Sequence, residues 1–123
     1  MAYIYEIILK NGIVVDPVNN RFDRYDVGIA EGKIKDIAED LDPGTSREFF
    51  DLEGLYVIPG IIDLHIHASE WIGGRFAHKM MALAGVTTAL DMAGPIDGVL
   101  NIARDYGAGL NLASLQYVRP GFT

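Results

Sequence analysis

The sequence contains no cysteine. Disulfides, cysteine nucleophiles and thiolate-ligated zinc sites are therefore excluded, and the absence fits a reducing compartment. Basic residues are also few: ten Lys and Arg stand against 17 Asp and Glu, a formal net charge of −7. Nonspecific nucleic-acid binding needs clustered cations that displace counterions, so no nucleic-acid partner is expected. The acidic balance reads as simple solubility. No stretch approaches the ~18 apolar residues of a membrane span, so no membrane partner is expected. The N-terminus, Met1 to Lys10, has no basic segment, and Glu6 interrupts its apolar run. It does not read as a signal peptide, and the expected location is cytoplasmic.

What is present is a globular composition. Half of the 123 residues are hydrophobic and 22% are charged, enough for a modest domain with its own core. The first part reads as short strands. Tyr3–Lys10 and Ile13–Val15 flank Asn11-Gly12, the strongest short hairpin signal. Asp16-Pro17 breaks the strand, and Val18–Arg24 reads as a polar loop. Val27–Ala30 and Lys33–Ile37 flank Glu31-Gly32 as a second hairpin, with the alternation of a half-buried sheet. Leu41–Ser46 is turn-rich. Glu48–Leu52 is a further strand candidate, followed by a turn at Glu53-Gly54.

The pattern changes near Tyr56 to Pro59. Ile61–His67 reads as one nearly continuous apolar strand, of the kind buried on both faces in parallel sheets. Arg75–Ala84 has helical spacing and ends at Gly85, a C-terminal cap glycine. Val86–Leu90 is a β-branched strand, Ile96–Tyr106 a second helix closed by Gly107, and Leu110–Val118 a third strand. Strand–helix alternation of this kind predicts right-handed crossovers and a parallel sheet.

The chemistry concentrates in Asp63-Leu64-His65-Ile66-His67. Side chains alternate along a strand, so Asp63, His65 and His67 share one face. Ile62, Leu64 and Ile66 share the other and are expected to pack on helices. Two imidazoles at i and i+2 project side by side, close enough to hold one metal ion, and zinc favours neutral histidine ligands. Asp63 sits deeper on the same face and is expected to orient a ligand histidine. A bare His-x-His also arises by chance. Pro59-Gly60-x-x-Asp63-x-His65-x-His67, directly after a small all-β segment, is far more specific.

Three stretches carry a family resemblance: Asn11–Pro17, Glu31–Ile34 and Pro59–His67. Together they resemble the opening of the amidohydrolase superfamily, closest to its dihydroorotase, hydantoinase and N-acyl-amino-acid deacylase branch. Gly85–Met92 resembles the second barrel strand of those enzymes. The resemblance implies an α/β fold: a small N-terminal β-sandwich portion over residues 1–57, then the first strands and helices of an incomplete (β/α)₈ barrel over residues 58–123. It further implies one or two divalent metal ions, zinc foremost, held by His65 and His67 at the end of the first barrel strand. Barrel active sites lie at that end. The implied activity is hydrolysis of C–N bonds (amide, cyclic amide or N-acyl) in a small-molecule substrate by metal-activated water.

Two departures count against dihydroorotate as substrate. Ser69 stands where dihydroorotases carry an arginine for the substrate carboxylate, and Ala93-Gly94-Pro95 stands where they carry Pro-Asn. Leu110–Leu115 bears a fainter likeness to the N-acyl-D-amino-acid deacylases. Ser69, Glu70, Trp71 and Asp91 are candidates for the substrate pocket. Glu70 reads more readily as a solvated loop charge, and Trp71 equally well as a cap on the core. His78, alone on its helix, reads as a surface or packing residue, and Met80-Met81 as helix packing.

A whole barrel needs ~250 residues. On this reading the later ligands and the general base lie outside the chain, and a catalytic zinc usually takes three protein ligands. The expectation is therefore a fragment, inactive alone, that needs the missing barrel segment or self-association to cover its open edges and apolar faces. The alternative is a catalytically incomplete remnant or interaction module.

Overall fold

A computed structural model describes residues 3–92, 94–116, 118 and 121. The chain divides into two compact units, Met1–Pro59 and Gly60–Thr123.

The first unit is one sheet built from β1 (Tyr5–Asp16), β2 (Arg21–Ala30), β3 (Lys33–Ala38), β4 (Ser46–Asp51) and β5 (Tyr56–Val57). Its order is β3-β2-β1-β4, with β5 also on β1. The β1/β2 and β2/β3 pairs are antiparallel, whereas β4 and β5 run parallel to β1. Tyr5, Ile8, Val14 and Val27 form its buried apolar residues.

The first hairpin is not where Asn11-Gly12 predicts it. β1 runs through those residues without turning. Leu9 pairs with Val27 and Gly12 with Tyr25, so β1 advances three residues while β2 advances two. This is a β-bulge. Asn11 takes φ 61°, a left-handed conformation that asparagine tolerates in a bulge as well as in a turn. Its N–H is claimed by Asp26 Oδ1 at 2.7 Å, which holds the residue inside the sheet. The chain reverses instead at Pro17–Asn20, where Asp16 accepts the Asn19 N–H and side-chain amide. The expected loop to Arg24 is correspondingly short: Phe22 and Arg24 are already paired with Val15 and Ile13. Glu31-Gly32 does form a hairpin turn, with φ 54° and 67°. Two positive φ values are what a two-residue turn of this hand requires.

One buried carboxylate ties this unit together. Asp26 is 1% exposed. It accepts from Lys10 Nζ at 2.6 Å and from the N–H groups of Asn11 and Leu41 at 2.7 and 2.8 Å. Lys10 also reaches Asp40 at 2.6 Å and the Leu41 carbonyl at 2.9 Å. Burial pushes the Asp26 carboxyl up, but the Lys10 ammonium and the two backbone donors outweigh it and leave the group below the usual carboxylate range.

The second unit has β6 (Ile61–Ile66), α1 (Gly74–Leu83), β7 (Val86–Asp91), α2 (Ile96–Tyr106) and β8 (Asn111–Ser114). The strands form a parallel sheet in the order β6-β7-β8, as the strand–helix alternation predicts. Ala93 and Tyr117 lie outside the described residues. Gly60 opens the unit because β6 starts tight against β7: a Cβ there would collide with the Thr87 side chain.

Ile66, Ala68 and Ala89 form the core with Ala77 and Met81 of α1, Val86, Leu110 and Leu112. Met81 thus packs inward, while Met80 is exposed. The expectation that β6 is buried on both faces fails. Ile62 and Leu64 are 63% and 67% exposed. β6 is an edge strand, and α1 packs on β7, so only the Ile66 end of the helix-side face is covered. Among the described residues, no helix is long and apolar enough to cross a membrane.

Candidate metal centre

His65 lies on β6, and His67 follows one residue beyond its end. Both imidazoles are exposed, nearly parallel, with ring centroids 5.3 Å apart and an interplanar angle of 13°. Their Nε2 atoms lie 3.2 Å apart. That separation suits an N–H···N hydrogen bond in one tautomer. It also suits two ligands of one ion. At Zn–N distances of ~2.0–2.1 Å and a tetrahedral angle, two ligand nitrogens sit roughly 3.3–3.4 Å apart. The pair therefore fits a divalent metal. Among the described residues, no group of three or more His, Asp or Glu is placed to hold a metal ion.

Asp63 meets His65 at the backbone. Its Oδ1 accepts the backbone N–H of His65 at 3.0 Å. The carboxylate thus shapes the strand at His65 and is not engaged with either ring. The β6/β7 register is irregular across this stretch, between Asp63 and Ile66.

The four pocket candidates separate into two kinds. Glu70 and Trp71 are exposed and belong to the loop after β6. The Glu70 N–H donates to the Gly98 carbonyl at 3.1 Å. The Trp71 ring lies so close to Gly98 that a Cβ on that glycine would meet it at 2.8 Å. Trp71 therefore rests on the first turn of α2, a contact that needs glycine beneath the ring. Ser69 and Asp91 are 1% and 0% exposed. The Ser69 carbonyl accepts the N–H groups of Ile72 and Gly74 and closes the turn into α1. Asp91, the last residue of β7, accepts the Ala68 N–H on Oδ2 at 2.8 Å.

Two features escape sequence reasoning. The link from Asp91 to Ala68 spans 23 residues, and its only sequence signal is that β6 and β7 end level with each other. His78 is fully buried, and neither ring nitrogen has a hydrogen-bond partner among the described residues. It lines a cavity of about 780 Å³ beside Arg75, Lys79 and Tyr106, where its helical position alone suggests only surface or packing.

Fold and site place the chain among α/β proteins that carry a histidine pair at the end of a parallel strand. No family model matches it. It is 38% identical over 96 residues to an allantoinase from Bacillus licheniformis, a match covering 72% of this chain and 20% of that protein. It superimposes on the L-hydantoinase (dihydropyrimidinase) of Arthrobacter aurescens with a TM-score of 0.75 at 21% identity, over 96% of this chain and 29% of that one. A D-aminoacylase with a binuclear metal centre gives a TM-score of 0.70 at 24% identity, over 91% and 29%. The chain belongs to the amidohydrolase superfamily. It spans about a fifth of the length of the curated relatives it matches.

Proposed function

We propose that residues 58–123 open the (β/α)₈ barrel of a metal-dependent amidohydrolase, that residues 1–57 are its β-sandwich portion, and that His65 and His67 are two ligands of its divalent metal, zinc foremost. The observation that supports this is the 3.2 Å separation of the two Nε2 atoms on exposed, nearly parallel rings. A divalent ion held there supplies Lewis acidity, which activates water and polarises the carbon it attacks. Asp63 holds the strand at His65 through its backbone N–H. Exposed Glu70 and Trp71 stand on the loop that follows the pair and are offered to a small-molecule substrate.

The substrate class follows the named relatives, an allantoinase, a hydantoinase and a D-aminoacylase: a small molecule with a cyclic amide or N-acyl C–N bond. Further ligands and the general base come from barrel segments beyond those described, supplied by a partner chain or by further sequence.

Imidazole ¹⁵N NMR tests the ligand assignment with only three histidines to resolve. Zinc added to the 123-residue chain should move the His65 and His67 signals together, saturate at one ion per chain and leave His78 in place. His65→Ala or His67→Ala should abolish the response. Zinc that leaves both signals unmoved would overturn the ligand assignment. With the remaining barrel strands supplied, hydrolysis of hydantoin or N-acyl-D-amino acids should vanish in the double variant.

A further inference from the structure

We propose that Asp91 is the positioning residue for His67. His67 lies one step beyond the end of β6, where the strand no longer fixes it. Two backbone anchors bracket it. On one side, the Ile66 carbonyl accepts the Met92 N–H at 2.9 Å, and Ile66 pairs with Asp91 in the sheet. On the other, the Ala68 N–H donates to Asp91 Oδ2 at 2.8 Å. Both anchors come from the end of β7, at consecutive residues 91 and 92. The His67 backbone is thus clamped at its two neighbours, and the clamp sets where its imidazole stands relative to His65.

The carboxylate suits this work. Asp91 and Ala68 are 0% and 1% exposed, so their hydrogen bond is shielded from water and strengthened by the low local dielectric. The β6/β7 register is already irregular between Asp63 and Ile66. Strand pairing therefore does not define the ring positions, and a side-chain clamp supplies what the ladder lacks. The role reaches the metal only through His67, and that part rests on the ligand assignment above.

The test separates the two. In the metal-free 123-residue chain, the Ala68 amide should be among the slowly exchanging amides of the second unit, and a ring-to-ring nuclear Overhauser effect should join His65 and His67. An Ala68 amide that exchanges like a free loop amide would overturn the proposal without any variant. Asp91→Ala should abolish the ring-to-ring effect while Val99 and Ile102 in α2 keep their protection. If the variant stays folded and the effect persists, the proposal fails. Asp91→Asn keeps an acceptor and should retain the ring contact with faster Ala68 exchange; loss of the contact there, in a folded protein, would also count against it. Zinc affinity should fall roughly 10- to 100-fold in Asp91→Ala, the range for residues that orient metal ligands. If the wild-type chain binds no zinc at the pair, the ligand assignment falls, while the exchange and ring-contact results still decide the role of Asp91.

Discussion

The two units handle buried polarity in opposite ways. In Met1–Pro59, the buried carboxylate of Asp26 has three donors, one of them a lysine that is itself shared with Asp40. In Gly60–Thr123, buried Asp91 serves a backbone turn beside two exposed imidazoles, and buried His78 finds no partner for either ring nitrogen among the described residues. Polar groups in the first unit fasten strands to one another. In the second, Asp91 holds the backbone just past the irregular stretch of β6, and His78 faces a cavity beside α1 and α2. The difference teaches that a register shift can be met in two ways: in the first unit a buried carboxylate holds the bulge at Asn11 inside the sheet, and in the second a buried carboxylate holds the backbone just past the shift between Asp63 and Ile66.

The comparison breaks most sharply at Asp26. Asp26→Ala leaves two backbone donors without an acceptor and removes one of Lys10's two carboxylate partners. Removing one member of a buried pair costs about 3–5 kcal/mol. Amide exchange should show β1 and β2 losing protection first.

Gly60→Ala is the matching test in the second unit. The added methyl meets Thr87, and overpacking of this kind costs about 1–3 kcal/mol. Thr87→Ala should recover most of the loss, which a double-mutant cycle on denaturation midpoints would read. An unchanged cost in the double variant would place the strain elsewhere.

The smallest effect is that of acid. The Asp26 pKa is depressed in the folded state, so its contribution is complete above the unfolded value of roughly 3.9. It is lost as pH falls through the lower folded value. Stability of the first unit should therefore decline below about pH 4, and Asp26→Asn should flatten that part of the profile, as followed by denaturation at stepped pH.

Much of the second unit was legible because its signals are periodic and local. The helix over 74–83 ends at the glycine that predicts its end, and the period of two puts both histidines on one face. The first unit was harder to read. Asn11-Gly12 carries the stronger turn signal, yet Glu31-Gly32 makes the turn, because Asp26, fifteen residues downstream, captures the Asn11 N–H. The exposure of Ile62 and Leu64 was equally unreadable: an apolar run states that a strand wants cover, not which flank receives a helix. The bond from the His65 N–H to Asp63 was not readable either, since side-chain alternation says which face a carboxylate takes and not which donor it meets.

The bulge at Asn11 also bears on the chemical lifetime of the chain. Asparagine is among the thermolabile residues, and before glycine its side-chain carbonyl is readily attacked by the following backbone nitrogen, the route to deamidation. In the folded sheet that route is restricted. Asn11 Nδ2 is tied to Asp51 at 2.9 Å and its N–H to Asp26, with the backbone held in one conformation. Once β1 comes away from its partners, nothing shields the dipeptide. Deamidated Asn11 would thus accumulate only as fast as the first unit opens, a slow internal clock that records how long each molecule has spent unfolded.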